Sequence, residues 1–175
     1  MFSDPIKNLK QFGLGDSMVV VDLGAGTGFY SIPAALMVPN GKVYAIEVQK
    51  DYMLTIKDKA TQANINNLEC LWGDIEKRGG TKLGDSIIDA IIASNILSQV
   101  ENKNKFLEEI DRILKSKGRI LLVDWSNNWL SIVSSGFKNI VPKETAKDLF
   151  ESKGFVFEKE IDAGPHHYGM IFKKV

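Results

Sequence analysis

Val19-Val20-Val21-Asp22-Leu23-Gly24-Ala25-Gly26-Thr27-Gly28 is the stretch that decides the fold. A β-branched apolar run ends in a carboxylate, and three glycines follow at alternate positions. Apolar residues then resume at helical spacing in Ile32, Ala35 and Leu36. The pattern predicts a strand, a tight turn and a helix. Glycine adopts positive φ and carries no Cβ, so a ligand can lie directly against such a turn. The helix behind it would aim unpaired N–H groups and its positive dipole end at that ligand. Asp22 is expected to accept hydrogen bonds from N–H groups of the turn. A dinucleotide loop would read G-x-G-x-x-G. Counted from Gly24, its last glycine falls on Phe29; counted from Gly26, it falls on Ser31. Neither register fits.

Three further strands end in polar residues. Lys42 to Glu47 is apolar with a carboxylate at its tip, and both oxygens of that carboxylate can accept from vicinal ribose hydroxyls. Nicotinamide enzymes use an acidic residue in the same way, so Glu47 implies a ribose without choosing the cofactor. Leu68 to Trp72 leads into Gly73-Asp74-Ile75, and Ile87 to Ser94 leads into Asn95. An isolated Asp or Glu after a strand is often only a turn former or helix cap. Asp89, preceding an apolar run, reads as structural.

These four elements, in this order, resemble the class I S-adenosylmethionine-dependent methyltransferases, with the D-x-G-x-G-x-G run of residues 22–28 as motif I and residues 87–95 as motif IV. The resemblance implies S-adenosyl-L-methionine as cofactor and S-adenosyl-L-homocysteine as product. It places Gly24, Ala25, Gly26 and Gly28 against the methionine moiety, with Asp22 shaping the loop from behind. It places Glu47 and its neighbour Val48 at the ribose, Asp74 at the adenine amino group, the Ile75 amide at the adenine ring, and Asn95 beside the transferable methyl. It also implies a Rossmann-like, doubly wound α/β fold: a seven-stranded mixed sheet of order 3-2-1-4-5-7-6, strand 7 antiparallel, with helices on both faces. Asn95-Ile96-Leu97 departs from the Asn-Pro-Pro-Tyr or Asp-Pro-Pro-Tyr run of relatives that methylate exocyclic amines in nucleic acids. The closer likeness is to the methyltransferase type 11 branch, the small-molecule enzymes of ubiquinone and menaquinone biosynthesis. Arsenic-methylating members rely on several cysteines, and this chain has one.

Composition agrees with a small-molecule partner. Lys plus Arg equals Asp plus Glu at 22 each, without the basic face of a nucleic-acid binder. No apolar run approaches the ~20 residues of a membrane span. Met1 to Gly15 lacks the apolar core of a signal peptide, which leaves the cytoplasm as the expected location. Cys70 is expected to be a buried small residue. No Cys or His cluster has metal-ligand spacing, so no metal is expected.

At 175 residues the chain fits one domain, 1–175, with residues 1–16 a helical segment packed on the core. Pro5 to Phe12 carries Ile6, Leu9 and Phe12 on roughly one face. Residues 51–63 offer Met53, Ile56, Ala60 and Ala63 at helical spacing. Residues 101–116 predict a helix with Phe106, Ile110, Ile113 and Leu114 inward and Gly118 as its stop, followed by a strand over Arg119 to Asp124. A helix opens at Pro142 and ends at Gly154. Strands over Phe155 to Ile161 and His167 to Phe172 close the chain. Between Ser126 and Val141 lie Trp129, Leu130, Ile132, Val133 and Phe137, which can serve as a partial lid, a homodimer surface or core padding.

In open parallel sheets ligands bind beyond the carboxyl ends of the strands, where the order reverses. That edge would collect the glycine loop, Glu47, Asp74, Asn95 and the substrate-binding candidates Asp124 and Trp125. A returning seventh strand would add His166, His167 and Tyr168 as catalytic candidates, since His accepts protons near neutral pH. The alternative for the histidines is exposure in a hairpin turn. Methyl transfer from a sulfonium needs alignment and water exclusion before it needs a base. The chain therefore reads as a methyltransferase acting on a small molecule. Two other readings stand beside it: a noncatalytic cofactor-binding subunit needing a partner, and a nicotinamide-dependent dehydrogenase.

Overall fold

The structure, a computed structural model, describes residues 3–127 and 139–175. Its elements run α1 (Pro5–Phe12), β1 (Val19–Leu23), α2 (Ser31–Met37), β2 (Lys42–Glu47), α3 (Lys50–Gln62), β3 (Leu68–Trp72), β4 (Ile88–Ser94), α4 (Lys103–Ile113), β5 (Leu114–Trp125), α5 (Lys143–Glu151), β6 (Phe155–Ile161) and β7 (His167–Lys174). Trp129, Leu130, Ile132, Val133 and Phe137 lie outside the described residues. Among the described residues no helix is long and apolar enough to cross a membrane.

The strands form one sheet of order β3-β2-β1-β4-β5-β7-β6. β1 pairs in parallel with β2 and β4, β2 with β3, and β4 with β5; β7 runs antiparallel to both β5 and β6. The chain therefore steps outward from β1 to β3 and then returns to lay β4 against the other side of β1. Connections leaving β1 and β4 part in opposite directions and open a crevice at their carboxyl ends.

The continuous apolar runs of the central strands are buried on both sides, as a parallel sheet requires. On one face, Leu9 and Phe12 of α1 and Ala34 and Ala35 of α2 pack over Val20, Val43, Ile92, Leu121 and Ile171. On the other, Phe106, Leu107 and Ile110 of α4 and Ala146 and Phe150 of α5 pack over Val21, Ile91, Ile120 and Phe172. Ile6 stands apart from this packing and is 49% exposed. Helix α1 starts on an Asp4 cap that accepts from the Ile6 and Lys7 amides, and stops at Gly13 with φ 76°. Arg119 holds its far end by donating to the Phe12 carbonyl, while Lys7 and Gln11 bond to Asp162 in the β6–β7 connection.

Two expectations need correction. The fourth helix ends at Ile113, and Leu114 already belongs to β5, which begins five residues before Arg119. The Ser86 and Ile87 amides take the Arg112 and Ile113 carbonyls, and Leu114 pairs with Ile88. Strand pairing thus captures the last residues of an apolar helical stripe, and a bulge before Ala90 absorbs the extra length. Cys70 is half-buried rather than buried.

No helix covers the crossover from β3 to β4. A buried carboxylate holds it instead. Glu109 on α4 accepts from the Gly79 and Thr81 amides, the Thr81 hydroxyl and two nitrogens of Arg112. Burial raises this carboxyl's proton affinity, but those bonds outweigh it and hold the pKa at about 2.

Asp22 is the opposite case. Its carboxylate accepts the Ser31 hydroxyl at 2.6 Å, at the first turn of α2, instead of amides in the glycine turn. Burial pushes it up to about 6, partly offset by the Ser31 bonds, and the Glu47 charge adds to the rise. Because the folded-state value lies above the unfolded one, this group's contribution to stability is present in acid and lost as pH rises through about 6. Between pH 4 and 7 the stability difference between wild type and Asp22→Asn should therefore move in the variant's favour by about 2 kcal/mol. Urea midpoints across that range measure it, and a gap that stays constant would refute the assignment.

Candidate active site at the carboxyl edge of the sheet

The crevice between the diverging connections is a cleft of about 360 Å³. Gly24 and Gly26 line it from the loop after β1, Glu47, Val48 and Gln49 from the end of β2, and Tyr52 from α3. Gly73, Asp74, Ile75 and Glu76 close it after β3, and Ile96, Gln99 and Val100 after β4.

All three loop glycines have positive φ, at 71°, 53° and 82° for Gly24, Gly26 and Gly28. Their reasons differ. A Cβ on Gly24 would sit 2.5 Å from Ile96 Cδ1, so any side chain there would have to displace the Ile96 tip as well as hold a left-handed φ. A Cβ on Gly26 would meet nothing within 4 Å, and it is this glycine that keeps the cleft clear. The loop amides are not held open for a ligand as the sequence suggests. Gly24 and Ala25 both donate to the Ile46 carbonyl, and Gly26 donates to Glu47 Oε2 at 2.8 Å.

Glu47 is 6% exposed, and its other oxygen accepts the Val48 and Gln49 amides at 2.8 and 2.9 Å. A carboxylate offers about four acceptor positions. Three are filled, and the remaining one, on Oε2, is free for a hydroxyl in the cleft. Asp74 Oδ1 accepts the Glu76 amide, and Oδ2 meets Lys77 Nζ at 2.9 Å. The Lys77 bond, then the Glu76 bond, hold this carboxyl below its ordinary range. Lys77 is 76% exposed, and a pair that open is worth at most about 1 kcal/mol, so a ligand amino group can displace it. The Ile75 amide lines the same end and has no acceptor among the described residues.

Ala25, Gly28, Asp22 and Asn95 do not line the cleft. Ala25 and Asp22 are buried beneath it, and a Cβ on Gly28 would face Ile56 at 3.1 Å. Asn95 holds a left-handed φ of 53°, and its side-chain Oδ1 is buried without a hydrogen-bond partner among the described residues. Its carbonyl accepts from Gln99, which places Asn95 directly behind the cleft wall. Strain of this kind is sustained by surrounding structure and collects at sites.

Asp124 is 1% exposed and accepts the Leu97 and Trp125 amides, so it braces the turn after β4. Burial raises its pKa. Trp125 stacks on His167, with ring centroids 4.2 Å apart. The Tyr168 hydroxyl donates to the Val141 carbonyl, and burial, then the Asp124 charge, hold its proton firmly. His167 is buried, not exposed in a turn; its neighbour His166 is half-buried.

Sequence reading missed Gln49, Tyr52, Ile96, Gln99 and Val100. Ile96 and Val100 are apolar and also belong to the core. Gln49, Tyr52 and Gln99 follow recognised strand ends at positions that only the three-dimensional crossing of the loops brings inward.

Residues 14–171 match the family described as "Methyltransferase domain". A relative from Sulfurisphaera tokodaii named "Probable cobalt-precorrin-6B C(15)-methyltransferase (decarboxylating)" is 30% identical over 154 residues, spanning 84% of this chain and 77% of that protein. A demethylmenaquinone methyltransferase of Lactococcus lactis is 28% identical, over 83% of this chain and 60% of its own length. Among solved structures, an S-adenosylmethionine-dependent methyltransferase from Aquifex aeolicus superposes with a TM-score of 0.81 and 28% identity, covering 99% of this chain and 91% of that one. The chain belongs to the methyltransferase-domain family and is a class I S-adenosylmethionine-dependent methyltransferase.

Proposed function

We propose that the chain alone transfers a methyl group from S-adenosylmethionine, bound along the β1–β4 cleft, to a small-molecule acceptor. The observation that carries this reading is the pairing of a side-chain-free floor at Gly26 with one open acceptor position on Glu47, at the end of the cleft opposite an unpaired Ile75 amide. A nucleoside needs those three things: room against the backbone, an acceptor for a ribose hydroxyl and a donor for the adenine ring. The residues fit the cofactor.

When bound, that cofactor supplies an electrophilic methyl on a sulfonium, open to in-line displacement. The chain's task is to align and to dry the site. Glu47 holds the ribose while fixing the loop through Gly26. Asp74 exchanges Lys77 for the adenine amino group. Asn95, behind the cleft wall, steadies the cleft residue Gln99 through its carbonyl. Ile96 and Val100 present an apolar wall that excludes water. Alignment of this kind is worth several kcal/mol, and up to ~7–11 in intramolecular models.

Two features support a small acceptor rather than a nucleic acid: the balance of 22 basic and 22 acidic residues, and the absence of a proline pair after Asn95. Exposed Ile6, Phe29 and Leu36 around one apolar groove support a homodimer, since apolar patches on soluble proteins mark contact surfaces.

Calorimetry with adenosylhomocysteine and with NAD(P) tests the cofactor; tight nicotinamide binding alone overturns the assignment. Glu47→Ala should weaken adenosylhomocysteine binding by roughly 1–3 kcal/mol, the scale of bonds to a charged group. An unchanged dissociation constant removes Glu47 from the site. Gly26→Asn, whose side chain tolerates the left-handed φ of 53° and meets open space at its Cβ, should fold yet bind the ligand at least tenfold more weakly; full affinity would show that the ligand avoids this loop. Labelled methyl incorporated into a metabolite extract by the purified chain would exclude the partner-dependent reading, and incorporation only after adding a second protein would establish it.

A further inference from the structure

Two sides of the cofactor cleft come from separate segments, and one carboxylate joins them. Asp74, Ile75 and Glu76 form the side that follows β3, and Ile96, Gln99 and Val100 the side that follows β4. Glu76 Oε1 accepts the Glu101 amide at 3.2 Å, and Oε2 accepts the Asn102 amide at 2.6 Å. These amides come directly after Val100, so the bonds tie the two sides together at the edge of the cleft.

Asn102 caps α4, and its side chain accepts the Lys105 amide. A capping box would complete this start with a Glu or Gln at position 105, reaching back to the Asn102 amide. Lys105 has only donors to offer. Glu76, 26 residues earlier in the chain, supplies the missing acceptor, and its charge suits the positive end of the helix dipole. A local residue would serve the helix as well; recruiting one from the cleft wall fixes that wall too. Ile75 consequently stands between two anchored neighbours. The Asp74 amide donates to the Gly80 carbonyl at 3.1 Å, Asp74 Oδ1 accepts the Glu76 amide at 3.0 Å, and the Ile75 side chain packs on the core. Ile75 lines the cleft, and its amide has no acceptor among the described residues.

We propose that Glu76 is a positioning residue for the cofactor: by clasping the start of α4 it fixes the segment after β3 and aims the Ile75 amide at the adenine ring. Glu76 acts through Ile75 and need not touch the nucleoside itself. Glu47 does the corresponding work on the glycine loop, where it takes the Gly26 amide. The two clasps hold different donors. Loss of Glu76 therefore weakens the grip on the base and leaves the glycine loop as it was.

The proposal rests on the methyltransferase reading, and one titration separates the two. Adenosylhomocysteine is added to the ¹⁵N-labelled chain while the Ile75 and Gly26 amide resonances are followed. In the unmodified chain both should move saturably; no binding there would overturn the cofactor reading itself. Glu76→Ala should weaken binding at least tenfold. At saturation its Gly26 signal should reach the bound position of the unmodified chain, and its Ile75 signal should not. Glu76→Gln keeps an oxygen for the 2.6 Å bond and should restore the Ile75 position with a loss under fivefold. Adding Lys105→Glu to Glu76→Ala gives α4 a local capping acceptor, so the urea midpoint should rise while the affinity stays low. If Glu76→Ala alone does not fold, the doubly substituted chain carries the same comparison. Undiminished affinity in Glu76→Ala, equal displacement of both signals, or a Glu76→Gln chain that binds no better than Glu76→Ala would each overturn the proposal. Affinity recovered by Lys105→Glu would overturn it too, by reducing Glu76 to a helix cap.

Discussion

Three backbone amides converge on the Glu47 carboxylate, two from the chain just after β2 and one from Gly26 across the crevice. That single side chain gives the glycine loop its shape. The loop has no side chains of its own to define a conformation, and its glycines lose more freedom on folding than other residues would. Glu47 and the Ile46 carbonyl compensate by taking the Gly24, Ala25 and Gly26 amides. The group that fixes the floor is also the group with an acceptor position left over. Binding and folding therefore draw on the same carboxylate, so its replacement loosens the loop as well as removing a ligand contact.

A second carboxylate lies beneath the loop and behaves differently because its partners differ. Glu47 accepts three amides; Asp22 is fully enclosed and takes its bonds from Ser31. Two like charges close together, one already desolvated, favour keeping a proton on the buried one. The cleft thus presents Glu47 at its edge, while the neighbour beneath it carries a cost that grows as pH rises.

The architecture was largely legible in the residues because main-chain geometry imposes residue type locally. Left-handed turns at residues 24, 26 and 28 require glycine, parallel strands buried on both faces require runs such as Val19 to Val21, and order reversal places Glu47, Asp74 and Asn95 at one edge. Less legible was whatever depends on a partner distant in sequence. Nothing near Leu114 signals that pairing with Ile88 will end the helix early, and nothing near Thr81 signals that Glu109 will hold the crossover. The histidines show the limit best. Two adjacent residues look equivalent in sequence, yet His167 begins β7 and packs on Trp125 while His166 stays in the preceding turn, half-covered.

The helix-free crossover has its own implication. Gly79 and Thr81 hang from Glu109 on α4, and between them the Gly80 carbonyl accepts the Asp74 amide at 3.1 Å. The Asp74 end of the cleft is thus positioned from a helix that does not line it, through the charged cluster of Glu109 and Arg112. Substitutions at Glu109, Thr81 or Arg112 would register as altered nucleoside affinity, even though these residues belong to the scaffold and not to the pocket.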